Sequence, residues 1–308
     1  MSPENPPTDG SDLRLRLTVF IGLVAIVLIS YHRILLELWG VWLNDPDAGH
    51  GVLVPWLALY LAWQRRKQLT LNLARPSWVG LLVLLFALVP HAVGTWWGMP
   101  YLDRLSVIIS IWGAAIVAFG FRAALRVTVP IAFLIFALPL PGRFQTMLAG
   151  PLQSLAARAT DYLLIASGVP ATRAGNIIVV HDYQIAVAEA CNGLRMLLAY
   201  VMICTFFAMA IRNIWWERLL MVIAAIPVAL AANVIRIYAT ALMVIFVNEE
   251  AAGDFFHDIA GYVMMPVAVI MLLVWLWIIR KVYPEDLEGA EIAKLDVVST
   301  VAMGEKQK

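Results

Sequence analysis

Long apolar runs separated by short polar or charged stretches occupy most of the chain. Several of them approach the roughly 20 residues that an α-helix needs to cross a bilayer. The pattern predicts an all-α polytopic membrane protein with about eight transmembrane helices. The expected spans are Leu17–Trp39, Gly51–Gln64, Trp78–Met99, Leu105–Phe121, Val127–Leu140, Ala190–Ile211, Leu219–Val247 and Ile259–Ile279.

Basic residues lie mainly on one side of these predicted spans, and several acidic residues lie on the other side. With the N-terminus in the cytoplasm, most Lys and Arg fall on the cytoplasmic side, and acidic residues such as Asp47 and Asp103 fall in the outer connections. This is the bias of the positive-inside rule. It predicts a membrane-embedded domain over residues 17–282, with cytoplasmic tails at 1–16 and 283–308.

One large connection, at about residues 141–189, is predicted on the outer side. Its first part, Phe144–Ser167, mixes small and apolar residues and is expected to lie as an interfacial helix. Its second part has two short segments rich in apolar residues, Asn176–Val180 and Tyr183–Glu189, on either side of His181 and Asp182, which predicts a small β-hairpin before the sixth span.

The composition excludes several function classes. Hydrophobic residues make up 62% of the chain and charged residues 14%, which excludes a soluble globular protein. The chain has two cysteines and no CxxC motif, which excludes a disulfide framework or a Cys-rich zinc site. The absence of a long basic run makes a nucleic-acid partner unexpected. No cofactor and no metal is expected.

Cys191 is the first candidate for chemistry. It lies where a predicted strand meets the sixth span, so its side chain is expected at a helix N-terminus, where the helix dipole favours a thiolate. Arg195, four residues later, adds a positive charge on the same face. The alternative is that Cys191 packs as a small buried hydrophobic residue, as we expect for Cys204 deeper in the span.

Arg236 and His257 are the other two candidates. A cation inside the apolar seventh span costs roughly 2.5–3.5 kcal/mol, so it indicates a functional site by default. Asn233 lies on the same helical face and is placed to brace Arg236. His257 opens the eighth span and titrates in the range of a general base. Alternatively, Arg236 neutralises a buried carboxylate or extends to the interface, and His257 is a solvated polar residue.

The depth of these residues in the bilayer favours one site. Measured along each span from the basic residue at its cytoplasmic end, Cys191, Arg236 and His257 lie at roughly 31, 27 and 34 Å. The hydrocarbon core is about 30 Å thick, so all three are expected at its outer boundary. His50 and Gly51 fall at the same level, at the outer end of the second span, although an interfacial turn explains them equally well. A metal site would need His50, His257 and Asp254 to converge, and their spacing does not support one.

With these residues, the chain resembles the exosortase/archaeosortase family over about residues 17–282. The family's Ala-Cys-(Ser/Asn)-Gly-(Leu/Ile)-Arg element is matched by Ala190–Arg195 and its Asn-x-x-Arg element by Asn233–Arg236. The His before the last span is matched by His257. An early His-Gly followed by an apolar run ending in Trp-x-x-Arg is matched by His50–Arg66.

The resemblance implies a cysteine protease and transpeptidase in the bacterial inner membrane. Its substrates are exported proteins whose C-terminal sorting signal has a short motif (Pro-Glu-Pro in the best-known class), a hydrophobic helix and a basic cluster. It implies that Cys191 is the nucleophile, His257 the base and then the acid, and Arg236 the group that orients substrate or stabilises the oxyanion. Arg195, Asn233, His50, Asn192 and Gly193 are expected to support the site.

Two other functions stay open. A non-catalytic membrane component of exopolysaccharide assembly or export would use Arg236 for substrate passage and would tolerate loss of Cys191. A membrane acyltransferase would need an acyl donor to reach the same outer-face thiol, and lipid or thioester donors would then label the protein.

Overall fold

The computed structural model describes residues 10–45, 47–66, 76–180, 183–186, 193–211 and 215–247, with single positions between 270 and 281. The described helices and strands are, in chain order, α1 Gly10–Ser30, α2 His32–Asn44, α3 Val54–Gln64, α4 Val79–Trp97, α5 Pro100–Phe119, α6 Phe121–Phe133, α7 Gly142–Ala166, β1 Ala171–Ala174, β2 Ile177–Val180, β3 Tyr183–Ala186, α8 Gly193–Ile211 and α9 Trp215–Phe246. Short 3₁₀ helices at Gly49–Val52 and Leu134–Ala137 precede α3 and extend α6.

Four of these helices contain segments that are long and apolar enough to cross a membrane: Leu13–Ser30, Val79–Trp97, Pro100–Phe119 and Trp215–Phe246. A fifth span results if Phe121–Ala137 and Gly142–Ala166, which meet at an angle of 79°, together form one crossing. The segment Met196–Ala210 is a shorter apolar helix. The chain is therefore a helical membrane protein, but the described residues do not confirm eight spans.

The differences from the expected spans have local causes. The expected first span is divided at Tyr31 into α1 and α2. The expected second span is a helix of 11 residues, about 16 Å long, which is only half the thickness of a hydrocarbon core. Most of the expected last span, Ile259–Ile279, lies outside the described residues.

Helices α4 and α5 form a tightly packed antiparallel pair. The connection is set by Gly98, whose φ of 62° ends α4 in the left-handed region, and by Pro100, which begins α5. Gly80 and Gly94 of α4 face the α5 backbone. A Cβ at Gly80 would come within 2.5 Å of the Val117 nitrogen, and one at Gly94 within 2.7 Å of the Asp103 nitrogen. Small residues therefore let the two backbones approach closely.

A three-stranded antiparallel sheet, in the order β1-β2-β3, follows α7. Val180 pairs with Tyr183 across β2 and β3, and Ala171 pairs with Val180 across β1 and β2. The prediction included the two later strands but not β1, whose residues are mostly exposed and lack the alternation that indicates a strand. Residues 181 and 182, the expected turn of the hairpin, lie outside the described residues.

The sheet packs on two helices. Ile178, Val180 and Ile185 are at most 3% exposed and form one buried cluster with residues of α7 and α9. A hydrogen bond of 2.7 Å between the Ser167 and Tyr238 hydroxyls joins the end of α7 to α9. The sheet thus covers one end of the helical part of the molecule.

Candidate active site

Arg236 is buried in the second half of the apolar helix α9, with 7% of its surface exposed. Its Nη2 donates a hydrogen bond of 3.1 Å to Oδ1 of Asn233, which is 2% exposed. The two residues are three positions apart, so an α-helix places them on one face. A buried cation needs such an acceptor, since an uncompensated charge in an apolar region is costly. The predicted bracing of Arg236 by Asn233 is therefore present.

Tyr200 of α8 is a third polar residue beside this pair. It is 7% exposed and interacts electrostatically with Arg236. It belongs to the buried cluster in which α8 packs against Ala225, Ala229 and Ala232 of α9, and these small side chains let the helices come close. Tyr200 is not among the site residues that the sequence predicts. One feature of the sequence points to it: its phenolic hydroxyl lies in an apolar run, and a buried Tyr usually pairs its O–H with a polar partner.

The sheet lies directly next to the Arg236 region of α9. Val234 and Ile237, on either side of Arg236 in the sequence, belong to the same buried cluster as Ile178, Val180 and Ile185 of the sheet. The cation is therefore held at the end of the molecule that the sheet covers. This arrangement holds a positive charge at a fixed position beside the sheet.

His50 lies in the 3₁₀ helix before α3. It lines a small cavity with Asp47, Phe136, Gln145 and Leu198, and Leu198 belongs to the second turn of α8. Burial lowers the pKa of His50 below its ordinary value, and backbone groups of Phe136 and Asp47 offset part of this effect. His50 is therefore neutral near pH 7.

The glycine that follows His50 has a packing role. A Cβ at Gly51 would collide with the Trp42 indole, whose Nε1 donates a hydrogen bond of 2.8 Å to the Ala137 carbonyl. The His-Gly pair therefore fits only because position 51 carries no side chain. The close approach holds the turn that contains His50 between α2 and the end of α6.

The structure describes only some of the remaining predicted site residues. Cys191, Asn192 and His257 lie outside the described residues. Gly193 begins α8 and Arg195 lies in its first turn, so the described helix starts two positions after Cys191 in the sequence. The convergence of Cys191, Arg236 and His257 stays a prediction. Cys204 is free and 1% exposed, in agreement with the packing role expected for it.

A second polar cluster joins α4 and α5. Nδ1 of His91 is 2.8 Å from Oδ1 of Asp103, and the Thr95 hydroxyl donates to the same oxygen at 3.1 Å. The Tyr31 ring meets the His91 ring edge-on at 5.1 Å. Within the part of the chain that the structure describes, no three His, Cys, Asp or Glu side chains are grouped as a metal site.

Comparison with known proteins gives a family match. The family model described as transmembrane exosortase matches residues 42–274. The matched region includes His50, Cys191, Asn233, Arg236 and His257. No curated protein and no solved structure matches the chain.

Proposed function

Because the chain belongs to the transmembrane exosortase family, we propose that it is a cysteine peptidase and transpeptidase that cleaves C-terminal sorting signals of exported proteins. The observation that carries the proposal is the buried Arg236–Asn233 pair, which occupies the matched region at the end covered by the sheet. A cation fixed by a neighbouring amide is preorganised, and preorganised charge is a major source of transition-state stabilisation.

In the proposed reaction, Cys191 attacks the carbonyl carbon of the scissile peptide as a thiolate. His257 takes the proton of the Cys191 thiol, the S–C bond forms, the C–N bond breaks, and protonated His257 gives this proton to the leaving amine. Arg236 orients the carbonyl or stabilises its developing negative charge. A second nucleophile, water or an acceptor, then breaks the thioester and restores the thiol.

The substrate's geometry fits this arrangement. A tail with a short motif, an apolar helix and a basic cluster places the motif and the cluster about one bilayer thickness apart. Arg236 lies about 27 Å along α9 from Arg218. We propose that the site faces the periplasmic side of the inner membrane and that both termini are cytoplasmic, so the motif meets Cys191 while the basic cluster stays inside.

The test is processing of a tagged exported protein with such a tail, in membranes that contain the full-length enzyme. The expected result is that Cys191→Ala leaves the reporter at full length, whereas the control Cys204→Ala still shortens it. Processing that survives the loss of Cys191 but not the loss of Arg236 would instead favour the non-catalytic role in exopolysaccharide assembly or export.

A second variant pair tests the Arg236 site itself. Asn233→Leu removes the acceptor of the Arg236 hydrogen bond, and a hydrogen bond to a charged group contributes about 1.5 kcal/mol or more. Processing should slow by about tenfold. Thr240→Val is the matched control, because the Thr240 hydroxyl donates only to the helix's own backbone, at 3.0 Å from the Arg236 carbonyl. Equal rates for the two variants would contradict a role of the Arg236–Asn233 pair.

A further inference from the structure

A large apolar cavity, separate from the Arg236 site, lies among α1, α2, α3, α5 and α6. Its volume is about 510 Å³. Among the described residues that line it, Arg66 and Arg104 are the charged ones, and almost all others are aliphatic or aromatic. Protein interiors are close-packed and contain few voids larger than a water molecule. An apolar space of this size in a membrane protein is therefore expected to hold an apolar ligand.

Along α3 the cavity is about as deep as one leaflet of a bilayer, and along α5 its lining extends about 22 Å, from Arg104 to Phe119. Pro55, Leu59, Ala62 and Arg66 all line it, and their spacing of three to four residues puts them on one face of the helix that α3 forms. From Pro55 to Arg66 this face extends about 16 Å. Half of a hydrocarbon core is about 15 Å. The cavity thus has the length of a single acyl chain along α3, with Arg66 at its end.

The two ends of the cavity differ in charge. At one end, Glu37 and Asp103 interact attractively with Arg104. At the other end, Arg66 follows Arg65 in the sequence, and Arg65 lies close enough to Arg218 for the two charges to repel. The Arg66 end therefore holds three arginines and one buried carboxylate, Glu217, which precedes Arg218 in the sequence, whereas Arg104 at the other end interacts with two carboxylates.

Arg66 is also oriented for a headgroup at the membrane surface. Its guanidinium carbon lies 4.0 Å from the centre of the Trp63 ring, and its Nη1 donates a hydrogen bond of 2.9 Å to the Trp63 carbonyl. Trp is enriched at the interface between lipid and water. Basic pockets between membrane helices at the cytoplasmic surface bind anionic lipid headgroups, and the charge pattern of the sequence predicts that this end is cytoplasmic.

A transmembrane helix from a substrate does not fit the cavity. A helix of about 20 residues is about 30 Å long, longer than the roughly 16–22 Å over which the cavity extends along α3 and α5. Its basic cluster would also meet Arg66 and the neighbouring arginines, and like charges repel. Length and charge therefore both favour an anionic lipid over a basic peptide.

We propose that this cavity binds one acyl chain of an anionic phospholipid, with the lipid phosphate at Arg66. The bound lipid fills the space between α1 and α3 and joins the cytoplasmic ends of these helices. Its headgroup lies at the end of the molecule opposite Arg236, so the lipid is a structural ligand and not a reactant.

The test uses the purified full-length protein in an uncharged detergent. Phosphatidylglycerol and phosphatidylcholine with identical acyl chains are titrated separately, and the midpoint of thermal unfolding is recorded. Phosphatidylglycerol should raise the midpoint saturably, and phosphatidylcholine should raise it much less. Arg66→Gln should weaken the apparent affinity about fivefold, the equivalent of about 1 kcal/mol for one basic group. The exposed Arg122, outside the cavity lining, supplies the control Arg122→Gln, with unchanged affinity.

Blocking variants test the acyl-chain part of the proposal. Ala62→Phe places a ring one turn from Arg66 inside the cavity and should abolish the response to phosphatidylglycerol. Leu59→Trp, on the same face but at a position 61% exposed, is the second blocking variant in case Ala62→Phe does not fold. Equal responses to both lipids, or unchanged responses in a folded blocking variant, would overturn the proposal. So would equal stabilisation by inorganic phosphate, or saturable binding of a sorting-tail peptide that phosphatidylglycerol does not displace.

Discussion

The burial of His50 makes the free energy of unfolding depend on pH. The pKa of this side chain is lowered from 6.5, mainly by burial. Below about pH 6.5 the unfolded chain binds a proton that the folded protein does not yet bind, so the free energy of unfolding falls as the pH falls. The stability that the neutral form of His50 contributes is fully present above the unfolded pKa and is lost on acidification.

We therefore predict that the protein loses thermal stability between about pH 7.5 and about pH 5.5, and that His50→Gln loses less over the same interval. The measurement is the midpoint of thermal unfolding of both proteins in the same detergent at the two pH values. His32, whose side chain is exposed, supplies the matched control His32→Gln, which should keep the full pH dependence. Identical pH profiles for wild type and His50→Gln would contradict the assignment.

Local spacing explains which residues of the site were predictable. Asn233 and Arg236 are three positions apart in a helix, and helical geometry alone brings them together at 3.1 Å. The electrostatic interaction of Tyr200 with Arg236 and the cavity that His50 and Leu198 both line depend on how separate helices pack. One sequence does not contain that information, so periodicity and motif spacing missed Tyr200 and left the role of His50 open.

The α4–α5 pair shows how small residues determine packing between helices. The Gly80 position faces the Val117 nitrogen and the Gly113 carbonyl so closely that an added Cβ would lie at 2.5 and 2.7 Å from them. By contrast, Gly22 in α1 has nothing within 4 Å of an added Cβ. The two glycines are both helical, but only one of them is required by its surroundings.

We predict that Gly80→Ala destabilises the protein by about 1–3 kcal/mol, because the methyl group forces the two backbones apart. Gly22→Ala is the matched control and should be neutral or stabilising by up to about 1 kcal/mol, since Ala has the higher helix propensity. Unfolding midpoints of both variants in one detergent provide the comparison. Equal midpoints would show that the α4–α5 contact is not closely packed.

Among the helices and strands, those formed by long continuous apolar runs were predicted well. The break between two helices and the short first strand were not predicted. The runs that became α4, α5 and α9 are continuous, so their helices follow directly from the sequence. The break at Tyr31 and the strand β1 have no matching signal in their apolar pattern. Ala171–Ala174 becomes a strand because β2 offers it a pairing edge, which is a tertiary effect.

At the scale of the whole molecule, the described interactions show which residues lie together at each of its two ends. Arg65, just past the end of α3, lies near Arg218 at the start of α9, and His50, before the start of α3, lies near Leu198 in the second turn of α8. Helix α3 therefore runs between the same two ends of the molecule as the α8–α9 pair. One end carries arginines, and the other carries the sheet and Arg236. The positive-inside rule then predicts that the arginine end faces the cytoplasm.

This orientation is testable with single cysteines in a Cys191→Ser, Cys204→Ser background. Met99, which is 48% exposed between α4 and α5, and Arg122, exposed at the start of α6, lie at opposite ends of α5. We predict that Met99→Cys reacts with a membrane-impermeant maleimide in cells with a permeabilised outer membrane, and that Arg122→Cys reacts only after the inner membrane is opened. The reverse pattern would put Arg236 and the sheet on the cytoplasmic side. It would exclude processing of exported proteins at this site, because their sorting motif would then lie across the membrane from Arg236.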